Sequence, residues 1–205
     1  MPHADSALVP ESIQSKTDFW QHVHSQLAAL LEGQYCWISN LSNASSLIFN
    51  SLQAFPKYFG ADNSKAVNWC GFYIHSKYFP TPRLRVNTKR DTVPPDEVLL
   101  LGPFCGKPAC QFINISKERA RGVCADAYIQ QKTLVVPDVD QYPGHIACDG
   151  ETKSEIVCPL VLTQGDTVHT LGVLDLDCLA FNGFDDEDRI GLEGISALIV
   201  GACNW

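Results

Sequence analysis

The sequence predicts an α+β fold, a central antiparallel sheet flanked by helices, from three observations. Segments with helical periodicity stand toward both ends of the 205-residue chain, strand-like segments follow one another between them, and the regular strand–helix–strand alternation of a parallel sheet is missing. A chain of this length can share one core. Its 45% hydrophobic and 19% charged residues are an ordinary globular composition.

From Thr17 to about Leu31, Phe19, Trp20, Val23, Leu27, Leu30 and Leu31 recur at three- and four-residue steps, the apolar stripe of a surface helix, with Gly33 as its stop. A second helix is predicted from near Cys36 to Phe55, carrying Ile38, Leu41, Leu47, Ile48 and Leu52 and ending before Pro56. Val67 to His75 is rich in aromatic and β-branched residues and reads as a strand. Residues 76–96 hold four prolines and five basic residues and read as a loop insertion.

Strands are expected at Val98–Leu101 and Gln111–Ile115, joined by the turn-rich GPFCGKPAC, and a helix at Ala120–Gln131. Thr133–Val136 is a short strand, and Glu155–Leu162 with Thr170–Cys178 forms a hairpin around TQGDTV. A helix from Asp185 to Cys203 closes the chain, its acidic first turn matched to the helix dipole. The domain reading is a flexible segment over 1–16 and one catalytic unit over 17–205.

A formal charge of −8 and a pI near 5.1 leave no basic footprint for nucleic acid. The opening MPHADSALVPES has neither the basic start nor the apolar stretch of a signal peptide, and no run of about 20 apolar residues occurs. The expected protein is soluble and cytoplasmic, with the nucleus also open to it, and makes no membrane contact. Nine cysteines in such a chain point to thiols in a reducing compartment and not to a disulfide scaffold.

The chemistry concentrates between Cys105 and Cys178. Cys148 lies in HIACDGETKSE, a polar, Gly-containing stretch in which His145 or Lys153 could favour its thiolate. Cys110 follows a Pro-Ala pair at the start of a strand. Cys124 follows Arg119, Arg121 and Gly122 at a helix start, where the dipole and the basic neighbours both favour ionisation, although packing helix against sheet would equally account for it. CxxC and HxxxH pairs are absent, so the usual structural zinc spacings are missing and no metal is expected. Neither a G-x-S-x-G elbow nor a GxxxxGK[ST] loop occurs.

In GVLDLDC, alternation places Asp175 and Asp177 on one face and Leu174, Leu176 and Cys178 on the other. Two acids on one face suit an ammonium-binding pocket, or a carboxyl whose pKa repulsion raises until it can supply a proton; a merely wet face would also carry them. Glu155 would join them if its strand pairs alongside. Trp69 and Tyr73 share a face with Gly71 and could wall the apolar side, or serve as plain core.

Taken together, NWCGFY, LGPFCGKPACQ, GVC, VVPDVDQYPGHIACDGETKSEIVCP and LGVLDLDC closely resemble the free methionine-(R)-sulfoxide reductases, a GAF-domain family, over most of Trp37–Asp188. The resemblance implies a GAF-like fold, with a six-stranded antiparallel sheet enclosing a small pocket, often in a homodimer, and no bound cofactor. It implies that Cys148 is the nucleophile, Cys110 the usual resolving cysteine and Cys124 a third cysteine that can enter disulfide exchange. It further implies that Glu155, Asp175 and Asp177 are acidic pocket residues and that Trp69 lies near the substrate methyl group. The implied reaction reduces free methionine-(R)-sulfoxide through a sulfenic acid and a disulfide, with thioredoxin and NADPH as the external reducing system.

Departures are the charged run KERAR between Cys110 and Cys124, Ala125-Asp126 after Cys124, the additional thiols Cys70, Cys105 and Cys158, and the 76–96 insertion. The alternative is a non-catalytic GAF module that senses a small ligand, for which motif cysteines beside acids are unnecessary.

Overall fold

The structure, a computed structural model, describes residues 7–60, 64–81, 97–146 and 149–205. Among them are helices α1 (Lys16–Leu31), α2 (Trp37–Gln53), α3 (Val123–Gln130) and α4 (Asp186–Ala202), and strands β1 (Val67–His75), β2 (Val98–Gly106), β3 (Phe112–Asn114), β4 (Leu134–Val136), β5 (Ser154–Gln164) and β6 (Thr167–Cys178). The strands form one six-stranded sheet in the order β3-β2-β1-β6-β5-β4, every pair antiparallel, as expected. Among the described residues no helix is long and apolar enough to cross a membrane.

The sheet divides two unequal cores because its side chains alternate. On one face Cys70, Phe72, Ile74, Ile156, Cys158, Leu160, Leu174, Leu176 and Cys178 pack under α1, α2 and α4. On the other, Trp69, Tyr73, Val157 and Val173 meet α3 through Val123, Cys124 and Ala127. The Asn and Ser content of α2 proves compatible with a buried helix. Asn40 donates to the Gln34 carbonyl at 2.8 Å and Ser45 to the Ser42 carbonyl at 3.1 Å, while Asn40 Oδ1 and Ser51 Oγ are buried without a hydrogen-bond partner among the described residues.

Several boundaries differ from the sequence expectation, β6 among them, which starts at Thr167 and not Thr170, and two of them bear on the site. The turn-rich GPFC is not a turn, since β2 continues to Gly106 and pairs Phe104 with Gly71 and Cys105 with Cys70. Pro103 is tolerated because β3 covers β2 only along Val98–Leu100, leaving the far side of Pro103 without a ladder partner. Helix α3 begins three residues later than the weak periodicity suggested, capped by Gly122 at φ +85°, a conformation that favours glycine. Of the 76–96 insertion, Ser76–Tyr78 forms a single 3-10 turn, and residues 82–96 lie outside the described residues.

The two ends of the chain are joined by a buried ion pair. Lys16, 5% exposed, donates to Asp188 and, at 2.8 Å, to Asp185, while Asp188 also accepts from Trp20 Nε1 at 2.9 Å. Asp185 and Asp188 form the capping box of α4, so one ammonium links the start of α1 to the start of α4. Lys16→Met should destabilise the protein by about 3–5 kcal/mol, because Asp188 would remain buried without its counter-charge. Denaturant unfolding should show this loss, and Lys16→Met/Asp188→Asn should recover part of it.

Candidate active site

Strand register assembles the acids and the aromatics. Asp177 lies opposite Glu155 on β5 and opposite Trp69 on β1, and Asp175 lies opposite Val157 and Gly71. The third carboxylate therefore joins the pair through the expected β5–β6 pairing. The Trp69 ring stacks on Tyr73 at 5.9 Å and on Phe104 at 5.5 Å, making an apolar wall beside the acids. Only glycine fits at position 71, since a Cβ there would stand 2.3 Å from Phe104 Cβ and 2.6 Å from Trp69 Cη2. That gap is what lets the two rings lie flat together.

Helix α3 supplies the thiol. Cys124 Sγ stands 3.4 Å from Asp175 Oδ2 and 3.9 Å from Glu155 Oε1, and all three side chains are buried. Cys110 borders the same pocket from the irregular segment before β3, not from the strand itself, and its carbonyl accepts from Tyr73 Oη at 3.1 Å. Cys148 lies outside the described residues. The pocket occupies roughly 620 Å³ including its mouth and is lined by Trp69, Tyr73, Cys110, Arg121, Cys124, His145, Asp149, Glu155, Asp175 and Asp177, among others.

Burial sets the protonation states. Desolvation, then the neighbouring charges of Asp177 and Glu155, holds Asp175 well above the ordinary carboxylate pKa. Asp177 is raised in the same direction by burial and by Glu155 and Asp149. For Cys124, which the sequence leaves open between ionisation and packing, the fold opposes ionisation. Its place in the first turn of α3 does favour the anion, but desolvation and the Asp175 and Glu155 carboxylates push its pKa well above the usual thiol value. It is a neutral thiol donating toward Asp175.

At the mouth, His145 Nε2 lies 3.4 Å from Glu155 Oε2. Asp149 accepts from Asn68 at 3.2 Å and pairs with Lys107 at 3.1 Å, and Lys107 also pairs with Glu151. Burial pushes the Asp149 pKa up, but the Glu151 N–H, Lys107 and Asn68 outweigh it and hold the group below its ordinary value. Lys153, one of two cations expected beside the Cys148 loop, points elsewhere and pairs with Asp140 at 3.5 Å. Phe104, Asn68, Lys107 and Thr152, which lines the pocket and accepts from Asn68 at 3.1 Å, escaped the sequence reading. Phe104 was hidden by a β-bulge: Tyr73 pairs with Leu101 and Gly71 with Phe104, so one extra β2 residue shifts the alternation and turns Phe104 onto the pocket face.

Similarity to known proteins agrees with this geometry. No family model matches the chain. It is 40% identical over 201 residues to the free methionine-R-sulfoxide reductase of Saccharomyces cerevisiae, covering 98% of this chain and 94% of that protein. A solved structure described as that of the GAF domain superposes with a TM-score of 0.77 at 38% identity, covering 100% and 98% of the two chains. The free methionine-R-sulfoxide reductase of Neisseria meningitidis, solved in complex with its substrate, superposes with a TM-score of 0.70 at 28% identity, covering 96% and 95%. On near-complete alignment with the yeast reductase and on the shared GAF fold, this chain belongs to the free methionine-R-sulfoxide reductase family.

Proposed function

We propose that this protein reduces free L-methionine-(R)-S-oxide to L-methionine, and that the observation carrying this reading is the buried cluster of Cys124, Glu155 and Asp175 against an aromatic wall. The acidic pocket suits the α-ammonium of a free amino acid, and the Trp69–Tyr73–Phe104 wall suits its methyl end. A methionine within a polypeptide presents a neutral amide where the ammonium would sit, so protein-bound substrate binds poorly.

In this reading residues 17–205 act as one catalytic unit. A sulfoxide sulfur becomes electrophilic as its oxygen is protonated. The Cys148 thiolate attacks that sulfur while a pocket carboxyl protonates its oxygen; the hydroxyl then passes to the Cys148 sulfur as the substrate S–O bond and the new S–S bond break, so that methionine leaves and Cys148 is left as a sulfenic acid. Asp175 and Asp177, whose protonated forms are favoured by burial and by the neighbouring carboxylates, are the donors of choice. A second thiol then condenses with the sulfenic acid, releasing water and forming a disulfide, which a thioredoxin dithiol reduces.

Cys110 is favoured as the resolving thiol. It sits in an irregular, half-exposed segment at the pocket wall, whereas Cys124 is buried and held as a neutral donor between two carboxylates. Cys124 then mainly positions Asp175 and Glu155. The protein acts as a homodimer, in keeping with the resemblance of its sequence to the family.

Methionine formation from each epimer of the free sulfoxide, with thioredoxin, its reductase and NADPH, tests the reaction. Turnover of the R epimer alone is expected, and Cys148→Ser should lower it at least about 1,000-fold with the fold retained. Absence of turnover for either epimer by folded, reduced protein would point instead to a ligand-sensing module. Cys110→Ser should give one methionine per chain and then stop, with the sulfenic acid trappable by a dimedone reagent, whereas Cys124→Ser should continue to cycle.

The buried acids also make a stability prediction. From the ordinary carboxylate value of 3.8 upward, the unfolded chain ionises these groups before the folded one does, so the unligated protein loses stability as pH rises through the raised pKa. Asp175→Asn should therefore raise Tm at pH 7, by roughly 2–4 °C for about 1 kcal/mol recovered, and the advantage should vanish toward pH 4.

A further inference from the structure

We infer that the reduced protein carries a zinc-type divalent cation site at Cys124, Glu155 and Asp175, inside the pocket described above. The ligand set was invisible to spacing along the chain, because its members come from α3, β5 and β6. In the folded chain one donor atom from each lies within 4.8 Å of the other two. A tetrahedral zinc with Zn–S of about 2.3 Å and Zn–O of about 2.0–2.2 Å separates its sulfur and oxygen ligands by about 3.5–3.7 Å. The two sulfur–oxygen distances here, 3.4 and 3.9 Å, bracket that spacing.

A second observation points to a ligand. Asp175 is only 6% exposed, yet its Oδ1 is buried with no hydrogen-bond partner among the described residues, a costly state for a carboxylate oxygen in a pocket wall. A cation bound by Asp175 would satisfy that atom or its neighbour. His145, whose Nε2 lies 3.4 Å from Glu155 Oε2, is placed to supply a fourth ligand. One thiolate with two carboxylates and an imidazole is a mixed set that a borderline-soft ion such as zinc accepts and that magnesium or calcium does not favour. Binding replaces the Cys124 proton by the metal, so sulfur stays reduced and no electron moves.

The site stands on pocket geometry alone. Its consequence for turnover rests on the reductase reading, since the cation would occupy the place proposed for the substrate ammonium and so compete with substrate.

Cobalt, which reports sulfur ligation optically, tests the site on the reduced, full-length protein. Expected is one Co²⁺ per chain with the absorption of a tetrahedral, single-thiolate complex, displaced by equimolar Zn²⁺. Cys124→Ser should abolish the thiolate-to-metal band, Glu155→Gln should weaken binding at least tenfold, and Cys36→Ser should leave both unchanged. Absence of a tetrahedral spectrum, or a thiolate band that survives Cys124→Ser with either variant folded by circular dichroism, would overturn the site. Free methionine should raise the apparent Co²⁺ dissociation constant. Tight binding that methionine does not weaken would keep the metal site and count against the proposed substrate position.

Discussion

The pairing of β1 with β6 is the constraint on which the rest of the site depends. These strands are separated by about half the chain, yet their register fixes Trp69 opposite Asp177 and Gly71 opposite Asp175. A slip of one residue would turn both acids into the large core and expose Leu174 and Leu176, which are fully buried. The hydrophobic requirement of one face thus holds the chemistry of the other in place. The β5–β6 hairpin, closed by the two-residue turn at Gly165-Asp166, then brings Glu155 alongside with little chain to order.

Most of the fold was legible because its elements obey simple periods. β1 matched its predicted bounds residue for residue, and α1 and α4 moved by one or two positions. The miss in β2 has a local cause. GPFC carries turn residues, and only knowledge that β3 leaves Pro103 without a neighbour shows why a proline and two glycines can sit in a strand. Asp175, Asp177, Trp69 and Tyr73 were legible as one face by alternation, and Glu155 conditionally, because each lies in a regular strand.

Thiol states were less legible, since they depend on which groups fold against each sulfur. Cys124 sits at a helix start that favours thiolate, but its environment is set by carboxylates 31 and 51 residues away. Cys70, Cys158 and Cys178, by contrast, lie on the large-core face, where burial also raises their pKa values. The same residue type therefore serves as apolar filling on one side of the sheet and as a polar group on the other.

The inequality of the two cores has a consequence for how the molecule opens. Three helices of 16–17 residues seal the large face, while the smaller face is covered by an eight-residue helix with four buried side chains. Loss of α3 uncovers fewer buried side chains than loss of α1, α2 or α4, which places its local opening below global unfolding in free energy. The element that carries Cys124 can thus lift away and return while the three-helix face on the other side of the sheet keeps its amides protected from solvent exchange.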